Sequence, residues 1–216
     1  MSYPVRMVRL ILGLFLCSFG IFLSIRANVG LAPWDAFTIG FANLTGSTYG
    51  VVNIVTGLIL ITFGFLMGER FGLGTILNVM LIGIFIDLFS FAELVPYIEN
   101  FPAGVAVLLL GQVFIAVGCY FYIGAGMGCG PRDSLMVVAA KKCPRLPIGL
   151  VRGVIEGTVL VIGWLLGAKV GIGTVIAMFG ISYILQITFG LFKFDVKKVN
   201  QETLFYTLKE MFKSNQ

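Results

Sequence analysis

Histidine is absent from this chain of 216 residues, and charged side chains make up only 12% of it. The first absence removes Ser-His and Cys-His catalysis, imidazole proton relays and ordinary zinc sites. The second removes an ordinary soluble domain, which carries roughly twice that charge fraction. Cysteine is sparse too. Cys17, Cys119, Cys129 and Cys143 form no CxxC pair, and the first two lie inside apolar runs, where a thiol is a small core residue. Neither a disulfide framework nor a metal site follows, and nothing calls for a cofactor. No GxxxxGK[ST] stretch occurs, which argues against a phosphate cradle and an ATP-driven pump.

What remains is oil. Hydrophobic residues make up 58% of the chain, and the mean hydropathy is +1.01. The apolar runs reach the roughly 20 residues that a helix needs to cross a bilayer, and they lack the residue-by-residue alternation of a barrel. The fold class is therefore all-α: a polytopic membrane helix bundle. The net charge of +5 suits loops beside anionic lipid rather than nucleic acid, because no basic cluster has a soluble domain around it.

Six long segments are predicted, at 7–26, 48–68, 73–92, 102–124, 148–167 and 172–192. Two shorter ones, 33–45 and 131–142, each extend only ~18–20 Å as a helix against a ~30 Å hydrocarbon core. Arg6 and Arg9 ahead of the first run resemble a signal peptide, but this run has a counterpart further along and is read as a retained helix.

That counterpart belongs to a duplication. Gly20, Gly30, Pro33 and Asp35 recur as Gly118, Gly128, Pro131 and Asp133 at an offset of 98. After a slip of one residue, Gly50, Gly64 and Gly68 recur as Gly149, Gly163 and Gly167, and "FGLGT" (71–75) as "VGIGT" (170–174). The expected architecture is about six transmembrane helices in two repeats, 1–100 and 101–192, each with a short re-entrant or interfacial helix, followed by an amphipathic tail at 193–216. If the short segments do not cross, each half has three crossings and the second half is inverted. Arg6 and Arg9, Lys141, Lys142 and Arg145, and Lys193, Lys197 and Lys198 then share the cytoplasmic side with both termini. An eight-crossing count also places these groups inside, so segment length favours the inverted reading and charge does not decide. The tail stripe of Leu204, Phe205, Leu208, Met211 and Phe212 fits a helix lying on the cytoplasmic leaflet, or one docking a partner.

"GLAPWD" (30–35) and "GCGPRD" (128–133) both read as helix starts after a glycine turn, with proline preset for the first turn and an acid facing the helix dipole. In a membrane such breaks mark transporter sites; the bland alternative is a pair of caps in the headgroup zone. Five polar residues within the long runs stand out: Asn53, Asp87, Arg152, Glu156 and Gln186. They are costly in hydrocarbon and point to a polar interior. Arg152 and Glu156, four apart, can neutralise each other, and Arg152 can also snorkel; for Asp87 the alternative is a buried structural hydrogen bond. Asp87 corresponds to Gln186, and Asn53 to Arg152. The candidate binding set is thus Trp34, Asp35, Asn53, Asp87, Arg132, Asp133, Arg152, Glu156 and Gln186, with no catalytic and no metal-ligating residue.

The glycine-flanked PWD, the PRD of the second half and the repeated GxGT resemble the YczE/YyaS group of bacterial membrane proteins, itself similar to the broader YitT-type proteins. The resemblance covers most of 7–192. It implies a multi-pass protein of the bacterial plasma membrane and supplies no substrate and no catalytic residues. It carries over only the signature residues Pro33, Trp34, Asp35, Pro131, Arg132 and Asp133. Three functions follow as expectations. The first is a small-solute transporter or permease, with ion coupling open, whose acids handle cations or protons while Arg132 and Arg152 hold an anion. The second is a non-catalytic scaffold or regulator of a biosynthetic complex. The least favoured is an aspartyl intramembrane enzyme using Asp35 and Asp133. Membrane lipids and an unidentified small molecule or ion are the partners implied.

Overall fold

A computed structural model of the chain describes residues 3–69, 71–128, 130–132, 135, 136, 138, 148–196, 199 and 201–204. Among them the regular elements are all helices: α1 (Tyr3–Arg26), α2 (Pro33–Thr45), α3 (Tyr49–Leu66), α4 (Leu73–Phe91), α5 (Phe101–Gly124), α6 (Ile148–Leu165) and α7 (Ile172–Leu191). Five of these, α1, α3, α4, α5 and α7, are long and apolar enough to cross a membrane. The 18 residues of α6 include Arg152 and Glu156. Most of the second short segment lies outside the described residues, as do Asp133, the basic positions Lys141, Lys142, Arg145, Lys197 and Lys198, and the tail stripe from Phe205 onward.

Without a hydrophobic drive between helices in lipid, close backbone approach does the packing, and small residues permit it. The most extensive contact joins α1 to α5. A Cβ on Gly13 would lie 2.8 Å from the carbonyl oxygen of Gly118, and one on Gly111 would lie 2.6 Å from that of Gly20. The partner's number falls as the residue number in α1 rises, so the two helices run antiparallel. α4 packs on α1 through edge-to-face contacts of Phe15 with Phe85 and Phe89, each at 5.4 Å between centroids. α3 packs on α4, α7 on α5, and α6 on α2.

Two turns decide where the short segments begin. Gly30 has φ +134 and Gly128 has φ +123, a region that a β-carbon disfavours. Each is also wedged against a distant GxGT stretch. A Cβ on Gly30 would lie 2.7 Å from the Thr174 amide nitrogen, and one on Gly128 would lie 2.7 Å from the Thr75 hydroxyl. The backbone joins at the same places: Gly173 donates to Val29 at 3.0 Å and Gly74 donates to Met127 at 2.7 Å. Gly30 therefore rests on the start of α7, and Gly128 on the start of α4.

The described part of the tail is not separate from the bundle. The Glu202 amide donates to Gly126 at 2.9 Å and the Leu204 amide to Phe71 at 2.8 Å. The Gln201 side chain accepts from Gly128 N at 2.9 Å. Arg6 ties the same corner, pairing with Glu202 and donating to the carbonyls of Ala125 at 2.8 Å and Gly126 at 3.0 Å.

Candidate functional site

Pro33 opens α2 after the extended Ala32, which makes no side-chain cap. Asp35 falls in the first turn, only 6% exposed, and its carboxylate is engaged from outside α2. The Tyr49 hydroxyl, at the start of α3, donates to its Oδ1 at 2.8 Å. Arg132 approaches the same oxygen at 3.8 Å, too far for a hydrogen bond but close enough for a strong Coulomb term where water is scarce. Burial penalises the charged carboxylate, while the cation and the hydroxyl favour it.

Arg132 is the centre of the arrangement. Its Nη2 donates to Asn53 Oδ1 at 3.0 Å, and Asn53 Nδ2 donates to the Val79 carbonyl at 3.2 Å, which fixes which way the buried amide faces. Its guanidinium lies 5.2 Å from the ring centroid of Trp34, a cation–π contact. Trp34 is 9% exposed, and among the described residues its indole nitrogen finds no hydrogen-bond partner. The structure thus brings together Trp34, Asp35, Asn53 and Arg132 of the sequence-predicted set, and adds Tyr49.

A cavity of about 180 Å³ adjoins Arg132. Its lining includes Asn53, Asn78 and Thr56 as well as Cys17 of α1 and Cys119 of α5. Beside it a larger, mostly apolar groove of about 600 Å³ runs between α2, α3 and α6.

The other predicted residues lie elsewhere. Asp87, on α4, accepts from the Gly50 amide at 2.8 Å and from the Thr48 hydroxyl at 2.5 Å. It thereby caps the first turn of α3 from a neighbouring helix. Arg152 donates to Glu156 at 2.8 Å with its side chain 53% exposed, and neither residue lines the cavity or the groove. Gln186 is exposed on α7, away from the polar centre expected for it. Asp133 lies outside the described residues.

Sequence reasoning missed Tyr49, which lies on α3, across a turn from Asp35 on α2. The left-handed Gly46 (φ 66) that ends α2 turns the chain so that the phenol reaches back. It also missed Gln112, 2% exposed, whose Nε2 reaches the Ile176 carbonyl at 3.4 Å between α5 and α7. Here a signal existed, since a lone glutamine in an apolar run is a polar contact looking for a neighbouring helix.

Similarity to known proteins agrees with the reading of a membrane protein. Residues 4–189 match the family of unknown function DUF6198. An uncharacterized membrane protein of Bacillus subtilis, YczE, is 36% identical over 166 residues, covering 76% of each chain. An uncharacterized protein of Haemophilus influenzae is 29% identical over 177 residues, 82% of this chain and 80% of its own. The Bacillus subtilis protein YyaS is 25% identical over 170 residues, 77% of this chain and 84% of its own. No solved structure matches the chain. A membrane helix bundle matched over nearly all its spans in this way belongs to the DUF6198 family.

Proposed function

We propose that this protein is a small-solute transporter or permease of the bacterial plasma membrane, built as an inverted repeat with both termini in the cytoplasm. The observation that carries the reading is the ion pair between Asp35, at the start of α2, and Arg132, in the second short segment. Helix starts that meet around a charge pair with a buried acid, beside a polar cavity, are how discontinuous helices hold a solute. The repeat reading is supported by the antiparallel glycine contacts of α1 and α5 and by the crossed seating of Gly30 and Gly128. Antiparallel equivalent helices call for an axis in the membrane plane.

In this mechanism Arg132 holds an anionic group of the solute and Asn53 orients the guanidinium. Asp35 loses its cation when the solute arrives, and Tyr49 keeps one donor on the carboxylate meanwhile. Asp35 can then take up a proton, which couples solute to proton. No covalent step is involved, and no enzyme activity is assigned. The test is an untargeted metabolite-uptake comparison of a deletion strain carrying wild-type or Asp35→Asn protein. A solute whose uptake needs the wild type supports the reading, and no difference for any solute overturns it. The inverted topology is tested by labelling Ser47→Cys and Gly149→Cys in a cysteine-free background. Labelling from opposite sides is expected, and labelling from one side would refute the inversion.

A non-catalytic scaffold is the second reading. Its support is the pinning of residues 201–204 by Arg6, Gly126, Gly128 and Phe71, which presents the tail from a fixed point. It predicts that removing residues 205–216 abolishes function while Asp35→Asn does not.

A further inference from the structure

The apolar groove and the polar cavity are neighbours. Thr56 and Leu60 line both, so the two spaces meet along one edge of α3. Trp34 is on the groove side and Arg132 on the cavity side, with the guanidinium over the indole ring. The groove is flanked by Val55, Ile59 and Val154, exposed by 51%, 62% and 61%, so it opens on the outer surface of the bundle. Since α3 is long and apolar enough to span the bilayer, that opening faces lipid.

We infer that groove and cavity form one bipartite site for a single-chain anionic amphiphile, taken sideways from the bilayer, with its head group at Arg132 and its chain in the groove. This rests on the transporter reading and names its substrate class. The groove's 600 Å³ lies within the roughly 300–1,000 Å³ of ligand sites, and mostly apolar walls with few polar groups are their usual make-up. The cavity's 180 Å³ accommodates a carboxylate with some water, at ~30 Å³ per water. Arg132 is the one cation among the described residues lining either space. Its acid partner stands at 3.8 Å with a donor of its own, so a head group can take the guanidinium without stranding Asp35. Among the described residues the indole nitrogen of Trp34 is unsatisfied, which leaves a second donor at the junction. A fully hydrophilic solute would have no use for the groove.

Trp34 reports on the site. The chain has two tryptophans, so Trp164→Phe leaves a single indole. This protein, in lipid nanodiscs, is titrated with 9,10-dibromostearate, whose bromines quench a nearby indole, and with the matching dibromostearyl alcohol. Saturable quenching is expected, with half-saturation at least tenfold lower for the acid and with displacement by stearate. Arg132→Gln should erase the preference for the acid. Val154→Phe, on the exposed flank and tolerable to folding, should weaken quenching by both. Equal, unsaturable quenching by acid and alcohol, unchanged in Val154→Phe, would mean bulk lipid only and would overturn the inference. Thermal stabilisation by butyrate equal to that by stearate would overturn the amphiphile and keep an anion site. Saturable acid binding without any movement of stearate between the leaflets of proteoliposomes would refute transport while leaving the bipartite site standing.

Discussion

The turn at Gly30 and the turn at Gly128 do the same thing with the backbone and different things with the side chains. Both carry a positive φ, both press on a GxGT stretch, and both lead through a proline into a short segment. After that they diverge. Trp34 stands where the second stretch has Arg132, and the two stack on each other. Asn53, which Arg132 grips, corresponds to the exposed Arg152, and the half-buried cap Asp87 to the exposed Gln186. The lesson is a division of labour. Two glycine turns rest on two GxGT stretches in the same way, while among the described residues the polar contacts of Trp34, Asp35, Asn53 and Arg132 gather at one junction of unequal residues.

The sharpest way to break this comparison is at the shared frame. Gly30→Ala and Gly128→Ala should be the most damaging changes and should hurt about equally. Forcing a β-carbon into φ near +130° costs about 2 kcal/mol by itself, and the collision with Thr174 or Thr75 adds to that. Thermal unfolding of purified protein checks it. A tolerated alanine at one turn only would show that the two turns are not mechanical equivalents.

Next come the unequal residues. Arg132→Gln removes the cation beside a buried carboxylate; for fully buried pairs this costs about 3–5 kcal/mol. With the arginine side chain 28% exposed, about 2 kcal/mol is expected. Asp35→Asn keeps shape and one acceptor for Tyr49, so it should cost less than about 1 kcal/mol while lowering solute uptake at least tenfold. The double variant should be more stable than the two single losses added together, because each single change strands a partner. Additive losses would mean that the 3.8 Å pair carries no coupling. Uptake undiminished in Asp35→Asn would leave the acid as a helix-start residue only.

This division also explains what can be read from the chain alone. The helices begin and end within about four residues of the predicted segments, because runs of apolar residues broken by Gly and Pro are a local signal. Asn53 is legible because a polar residue in such a run is expensive and has to meet something, and Trp34, Asp35 and Arg132 because they stand in the repeated G-x-x-P-x-D stretches that open the short segments. Tyr49 is not, since its pairing with Asp35 depends on how one left-handed glycine redirects the chain. Asp87 reads in the sequence either as part of the polar centre or as a structural hydrogen bond; two donors at the start of α3 lie within its reach, and spacing along α4 could not name them. Nor does the tail's composition reveal that 201–204 add backbone hydrogen bonds to two distant links.

That strap supplies a moderate effect. Glu202→Gln removes one charge from the pair with Arg6, whose side chains are each only 19% exposed, but it keeps an acceptor oxygen and leaves the backbone bonds of Glu202 and Leu204 intact, so about 1–2 kcal/mol should be lost. Truncation after residue 196 removes those bonds as well and should lower the unfolding temperature further. If truncation costs no more than Glu202→Gln, the strap's backbone contacts contribute nothing to stability.

The smallest effects should come from the pair Asp87 and Gln186. As a cap, Asp87 acts through a carboxylate oxygen that accepts from the Gly50 amide. Asparagine keeps one oxygen and caps about as well as aspartate. Asp87→Asn should therefore cost only a few tenths of a kcal/mol, whereas Asp87→Ala strands the Gly50 amide and should cost about 1 kcal/mol. Gln186→Leu, at an exposed position on α7, should change stability and uptake by nothing measurable. The Asp87→Asn and Gln186→Leu variants should both retain dibromostearate binding at Trp34, because neither position lines the groove or the cavity. The discriminating measurement is uptake in Asp87→Asn at unchanged unfolding temperature. A tenfold loss there would move Asp87 from cap to site and extend the polar junction across α4.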